Sequence, residues 1–215
     1  MNEEWITYLQ VLRGTYIQKG GPGSGHHGHK GRKGKRGGSA PSGVGLDAKF
    51  EKSPVGQTLD ALNNDYDFVV MGSAALRLHL GEDMDRLPKD LDVLDLRQKR
   101  ANIDESRWVN LSDPRMPSAT ELQDMRTGVV VQHYESGQIM DTVRGIRAPR
   151  SYGDAEKIGK FDVLSLKKVL EVKALAGRER DDEDVMNAIL AKNLPRDYLG
   201  KNRDYWVLWE LAHGV

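Results

Sequence analysis

The residues best suited to chemistry lie between Met71 and Leu96. Gly72-Ser73 directly follows an apolar run, Asp67-Phe68-Val69-Val70-Met71. A helical pattern comes next, and Asp90-Leu91-Asp92 then stands inside a second apolar run. Side chains two apart on a strand leave the same face, so Asp90 and Asp92 should project together. Two carboxylates held that close repel unless a cation sits between them. Mg²⁺ or Mn²⁺, hard cations that prefer oxygen, are the natural occupants. Glycine lets the backbone approach a phosphate, and Ser73 can cap the following helix or donate to phosphate. The start of that helix offers free N–H groups to an anion. Arg86 and Lys89 add positive charge between the two halves. A carboxylate-bound cation beside a phosphate seat suits in-line displacement at phosphorus. Each half is ordinary alone, because D-x-D pairs are common at solvated strand ends and G-S turns commonly cap helices. Their order and nearness carry the expectation.

These residues need a scaffold, and composition allows one. The chain has 215 residues, 38% hydrophobic and 30% charged, enough for one domain with an appendage. Its 32 basic and 32 acidic side chains cancel, but the basic ones crowd an early segment. There is no cysteine, which excludes disulfides and thiolate metal sites. The first residues lack the basic start and apolar block of a signal peptide. No apolar run approaches the roughly 20 residues that span a bilayer. The expectation is a cytoplasmic protein without membrane contact.

Three regions are expected: a short leader over 1–18, a tether over 19–45, and a folded domain over 46–215. The tether is almost wholly Gly, Ser, Pro, His, Lys and Arg. Folding it would bury too little to offset its backbone entropy. Within the domain the pattern predicts a helix over 58–64, a strand over 67–71, a helix over 74–80 and a strand over 91–96. A short strand is expected over 108–111 and a short helix over 120–125. Residues 128–134 and 138–146 read as a hairpin, with Glu135-Ser136-Gly137 as its tight turn. Beyond Pro149 the pattern turns helical. Ser165 should cap a helix over 166–176 that Gly177 ends. Further helices are expected over 181–192 and 197–212, with Trp206 and Trp209 packed into the core. The core of the domain would be 67–146 and its helical part 150–215. Strands first and helices later argue for an α+β fold.

The runs G-S-A-A-L-R-L-H-L and R-L-P-K-D-L-D-V-L resemble the signature of the nucleotidyltransferase superfamily related to DNA polymerase beta. They are most similar to the small bacterial branch that includes the abortive-infection type IV toxin-like nucleotidyltransferases. The resemblance implies a nucleotidyltransferase-like mixed β-sheet with flanking helices and a helical C-terminal part. It implies that Gly72 and Ser73 bind the triphosphate of an NTP, with Arg86 and Lys89 near it, and that Asp90 and Asp92 hold Mg²⁺ or Mn²⁺. A third carboxylate usually comes from a neighbouring strand. Asp141, flanked by apolar residues on an expected strand, matches best, and Glu135 is the runner-up. The stretch from Ser165 to Val185 resembles that branch's later motif. There Lys173 falls on the motif lysine, Arg178 on its arginine, and Asp181 and Asp184 on its paired acids. Lys173 and Asp181 would then belong to the active site, with Asp181 orienting the lysine or accepting a proton. Arg180 stands where lysine is commoner. An acidic helix start beside two arginines is also ordinary capping with surface ion pairs. The resemblance spans residues 67–190.

The implied reaction moves a nucleotidyl group from an NTP to RNA, tRNA, a protein or a small molecule. The rival expectation is a catalytically idle binding module. Its basic segment, Lys30, Arg32, Lys33, Lys35 and Arg36, would attach it to a phage assembly or to nucleic acid, the latter through counterion release. A solubilising linker explains that segment equally well. His26, His27 and His29 could grip a metal but lack a supporting shell. The glycine-rich string also resembles linkers of phage and prophage proteins, which implies a mobile-element or toxin–antitoxin setting.

Overall fold

The computed structural model describes residues 47–84, 86–99, 106–111, 120–150 and 153–215. The leader and the tether lie outside the described residues. The first described elements are α1 (Ala48–Glu51), which seats Phe50 in the core, and α2 (Pro54–Asp65). Ser53 starts α2, its hydroxyl accepting from the Gly56 amide at 3.1 Å. With Pro54 in the first turn, α2 begins four residues before the expected position.

β1 (Tyr66–Val70) leads into α3 (Gly72–Leu80), and β2 is Leu91–Gln98. β3 (Trp108–Asn110), β4 (Thr120–Asp124) and β5 (Val130–Tyr134) come next. A separate two-stranded sheet joins β6 (Ile139–Asp141) to β7 (Ile146–Arg147). Then follow β8 (Ala155–Ile158), β9 (Phe161–Leu164), α4 (Leu166–Ala176), α5 (Glu179–Lys192) and α6 (Arg203–His213). The main sheet has seven strands in the order β3-β4-β5-β2-β1-β9-β8. β1 runs parallel to β9 and β2 parallel to β5, and the other pairs are antiparallel. The fold is therefore α+β, with a mixed sheet, flanking helices and three consecutive helices at its C-terminal end.

The central strands are fully buried at Val70, Leu91, Val93, Leu94, Val131 and Val163; α3 packs against β2 and β9, α4 packs against α3, and Leu76 and Leu170 belong to the same buried core. Ser165 caps α4 by accepting from the Lys168 amide, and Gly177 ends it in the left-handed region. Trp206 and Trp209 lie against the core, half-buried.

Four expectations are corrected. Residues 120–124 form a strand, because β3 and β5 claim both edges of that segment and pairing overrides its helix-forming Glu, Leu and Gln. Residues 128–134 and 138–146 do not pair with each other. Both edges of β5 are taken, by β2 and β4, so 139–141 turn back on 146–147 instead. The chain beyond Pro149 first makes a β-hairpin, turned by Gly159-Lys160 with Gly159 at φ +58°. β8 is an exposed edge carrying Glu156 and Lys157, so it shows no apolar alternation to read. Finally, the last helix starts at Arg203, where Asn202 accepts from the Tyr205 amide, rather than at 197.

Candidate active site

β1 and β2 are antiparallel neighbours, so the chain leaving β1 passes the start of β2. The Met71 amide donates to the Asp92 carbonyl at 2.9 Å. Gly72 then takes φ +63°, and a Cβ there would stand 2.1 Å from Asp92 Oδ2. No other residue fits: the backbone angle is strained for an L side chain, and the aspartate already fills the space. The Asp92 carboxylate is thus packed against the first residue of α3. Asp90 lies just before β2 and is exposed.

The cavity above this contact has a volume of about 580 Å³. Gly72, Ser73, Arg86, Lys89, Asp90, Asp92, Asp141, Lys173 and Asp181 all line it. The sequence-predicted residues therefore share one cavity. Arg178 lines it as well.

α3 has no side-chain cap, so Ser73 does not act as one. Its hydroxyl instead accepts from Arg86 at 3.2 Å and from Lys173 Nζ at 3.3 Å. Lys173 comes from α4 and is 5% exposed. Its ammonium donates to Asp181 Oδ1 at 2.7 Å and to Asp184 Oδ2 at 2.8 Å, both on α5. Arg86 grips both oxygens of Asp184, at 3.2 and 2.6 Å. Asp184 is thus the joint of the network, tying the loop before β2 to α4 through α5. Arg178 Nε donates to Asp181 Oδ2 at 2.6 Å. Burial pushes the Asp181 carboxyl up, but Lys173 and Arg178 outweigh it and hold it below its ordinary value. With both oxygens engaged and its pKa lowered, Asp181 is a poor base. It fits the orientation of Lys173.

Asp92 behaves oppositely. Burial, then the charge of Asp90, raise it to about 7. Six carboxylates line the cavity (Asp90, Asp92, Asp141, Glu179, Asp181, Glu183) against five cations (Arg86, Lys89, Lys173, Arg178, Arg180). The donor set therefore suits a hard divalent cation on Asp90 and Asp92.

Asp141 lines the cavity from β6, not from a strand beside β2. Its Oδ1 accepts from the Val143 and Arg144 amides at 2.9 and 3.0 Å, stabilising the β6–β7 turn. Among the described residues no three Asp, Glu, His or Cys side chains are gathered in a metal-holding group. Asp141 is therefore in the same cavity as Asp90 and Asp92 but not clustered with them. Glu135 is exposed in the turn after β5.

Two residues that sequence reasoning passed over also line the cavity, Gln132 and Tyr134 on β5. Gln132 is level with Asp92 in the parallel β2–β5 pair. Only that register reveals it, since nothing in the sequence says that β5 lies beside β2.

No helix among the described residues is long and apolar enough to cross a membrane. No family model matches the chain, and no curated protein matches it. Solved structures with a similar outline include JHP933 from Helicobacter pylori, 12% identical over 79% of this chain and 94% of that one, with a TM-score of 0.40. Another is a protein called a "putative nucleotidyltransferase" from H. pylori, 13% identical over 79% and 96%, with a TM-score of 0.39. At this level of likeness neither structure carries an argument about this chain.

Proposed function

We propose that this chain is a metal-dependent nucleotidyltransferase that moves a nucleotidyl group from an NTP to an acceptor hydroxyl. One observation carries the reading: the Asp92 carboxylate lies against Gly72, in a cavity where Ser73, Arg86 and Lys173 converge. On this reading a carboxylate suited to a divalent cation stands beside a turn suited to a phosphate. Asp90 and Asp92 would hold Mg²⁺ or Mn²⁺, with Asp141, in the same cavity, as the third candidate carboxylate. The cation supplies charge neutralisation at the transferring phosphorus. Gly72 admits a phosphate close to the backbone at the uncapped start of α3. Ser73 offers its hydroxyl to the same phosphate, and Arg86, Lys89 and Lys173 offset its charge. Asp181 and Asp184 hold Lys173, and Asp184 also holds Arg86, so these cations are aimed before substrate arrives. The acceptor hydroxyl attacks the α-phosphorus, the bond to pyrophosphate breaks, and the hydroxyl proton passes to water.

The test is incubation with each of four labelled triphosphates and Mg²⁺, with total cellular RNA and protein as acceptors. Label should appear on a macromolecule with the wild-type chain and disappear with chelator. An idle binding module would show neither transfer nor metal-dependent nucleotide binding. It would instead bind nucleic acid with an affinity that falls with salt and on deletion of residues 19–45.

A further inference from the structure

The proposed reaction needs a seat for the acceptor, and the strand beside Asp92 has the features of one. β5 lies on the flank of β2 away from β1 and Gly72. Neighbouring strands stand about 4.8 Å apart, so Gln132 is one strand step beyond Asp92. Tyr134 follows two residues later on the same face, and both side chains line the cavity. Where the family resemblance asks for a third carboxylate on a neighbouring strand, this chain carries a neutral amide.

That amide is held in one orientation. Gln132 Nε2 donates to Glu121 Oε1 at 3.2 Å, and Glu121 is its direct partner across β4–β5. The Tyr134 hydroxyl donates to Gln132 Oε1 at 3.1 Å. An amide has two N–H groups and two lone pairs on oxygen, and these bonds use one of each. One donor and one acceptor are left for a ligand, and a hydroxyl needs that combination.

In-line transfer places the entering and leaving oxygens on opposite sides of phosphorus. With the triphosphate over Gly72 and Ser73, the entering oxygen belongs on the β5 side. We infer that Gln132 and Tyr134 bind the hydroxyl-bearing end of the acceptor and aim its oxygen at the α-phosphorus, with Glu121 as the positioning residue that fixes the amide. The inference rests on the nucleotidyltransferase reading. The acceptor O–P bond forms, the bond to the bridging oxygen breaks with release of pyrophosphate, and the hydroxyl proton leaves to water.

The test uses the full chain and two readouts. Calorimetry measures binding of non-hydrolysable analogues of the four triphosphates, each with Mg²⁺. Transfer of label from a mixture of α-labelled triphosphates is followed while a cell extract, supplying RNA and protein, is titrated. Gln132→Leu and Tyr134→Phe should leave analogue affinity within about twofold and raise the half-saturating extract concentration about tenfold. Glu121→Ala should behave like them, and Glu121→Gln, which can still accept from the amide, should restore wild-type behaviour. Tyr134→Phe keeps the ring and guards against a folding failure in the leucine variant. An unchanged extract dependence overturns the inference, as does a loss of analogue affinity matching the loss of transfer. If the wild-type chain binds no analogue with Mg²⁺, the nucleotidyltransferase reading itself falls and takes this one with it. If the wild type transfers and the variants match it, only this inference falls.

Discussion

Two buried carboxylates in this molecule are each gripped by an arginine, and they do different work. Asp124, fully buried at the end of β4, accepts from Arg107 at 3.1 and 2.7 Å, from the Thr58 hydroxyl at 2.9 Å and from the Arg126 amide at 3.0 Å. Its partners come from α2, the approach to β3 and the turn after β4, so it ties the sheet edge to a helix. Asp184, 2% exposed, accepts from Arg86 and Lys173. Both of those cations continue to Ser73 and the cavity. The Asp124 cluster borders a separate cavity, lined by Arg107, Arg126 and Thr127, and has no link to Ser73, whereas the cations of the Asp184 cluster both reach Ser73 and the cavity that Asp92 lines. The two buried ion pairs are told apart by what they join: the end of β4 to α2 in one, and Arg86 and Lys173 to Ser73 in the other. The distinction matters because such a pair, by itself, is weak ground for either stability or function.

The largest effects should separate the two regions. Asp90→Asn and Asp92→Asn should each lower transfer at least ~100-fold, the loss expected when charge stabilisation at the reacting group is removed. The melting temperature should not fall in Asp92→Asn, because the change relieves a buried carboxylate that Asp90 repels. Asp141→Asn should cost less activity, since its carboxylate also serves the β6–β7 turn. Asp124→Ala should do the reverse. Leaving Arg107 without its buried partner should cost about 3–5 kcal/mol in urea denaturation, with transfer per folded molecule unchanged. Equal activity losses in Asp92→Asn and Asp124→Ala would erase the contrast.

A smaller effect concerns Asp182, in the first turn of α5 and 2% exposed. Its Oδ2 is buried without a hydrogen-bond partner. Burial, then the charge of Asp181, raise it to about 6. A raised carboxylate binds its proton more tightly in the folded state, so its penalty is absent at low pH. The penalty appears as pH rises from the unfolded value, 3.8, through about 6. Asp182→Asn should therefore stabilise the chain by about 1–3 kcal/mol at pH 7.5 and by little at pH 4, measured by denaturation at both values. Asp181, one residue earlier, is lowered and acts with the opposite sign: its contribution is lost as pH falls. The smallest effect should be Ser165→Ala, about 1 kcal/mol from loss of the α4 cap, read by thermal melting.

The residues that line the cavity around Gly72 were legible because their chemistry is local. Gly72-Ser73, the Asp90/Asp92 pair and the Lys173–Asp184 stretch each declare themselves within a few neighbours. The helices α4 and α5 were legible for a similar reason, since Ser165 and Gly177 mark ends that short-range bonds create. The rest depends on partners far away in sequence. Residues 120–124 are a strand only because β3 and β5 flank them, and β6 leaves β5 only because β2 has taken its edge. The same competition hid Gln132 and directed attention to Asp141. Asp184 was matched only as one of a pair of acids, and its role as the joint between Arg86 and Lys173 needed the fold.

The most direct measurement is label transfer from α-labelled triphosphates by the full chain, run with Mg²⁺, with chelator, and with Asp92→Asn. Transfer by the wild type with Mg²⁺, abolished both by chelator and by the substitution while the melting temperature holds, is the expected result. Transfer that persists without a divalent cation or in Asp92→Asn would contradict a metal at Asp90 and Asp92 beside the Gly72-Ser73 turn.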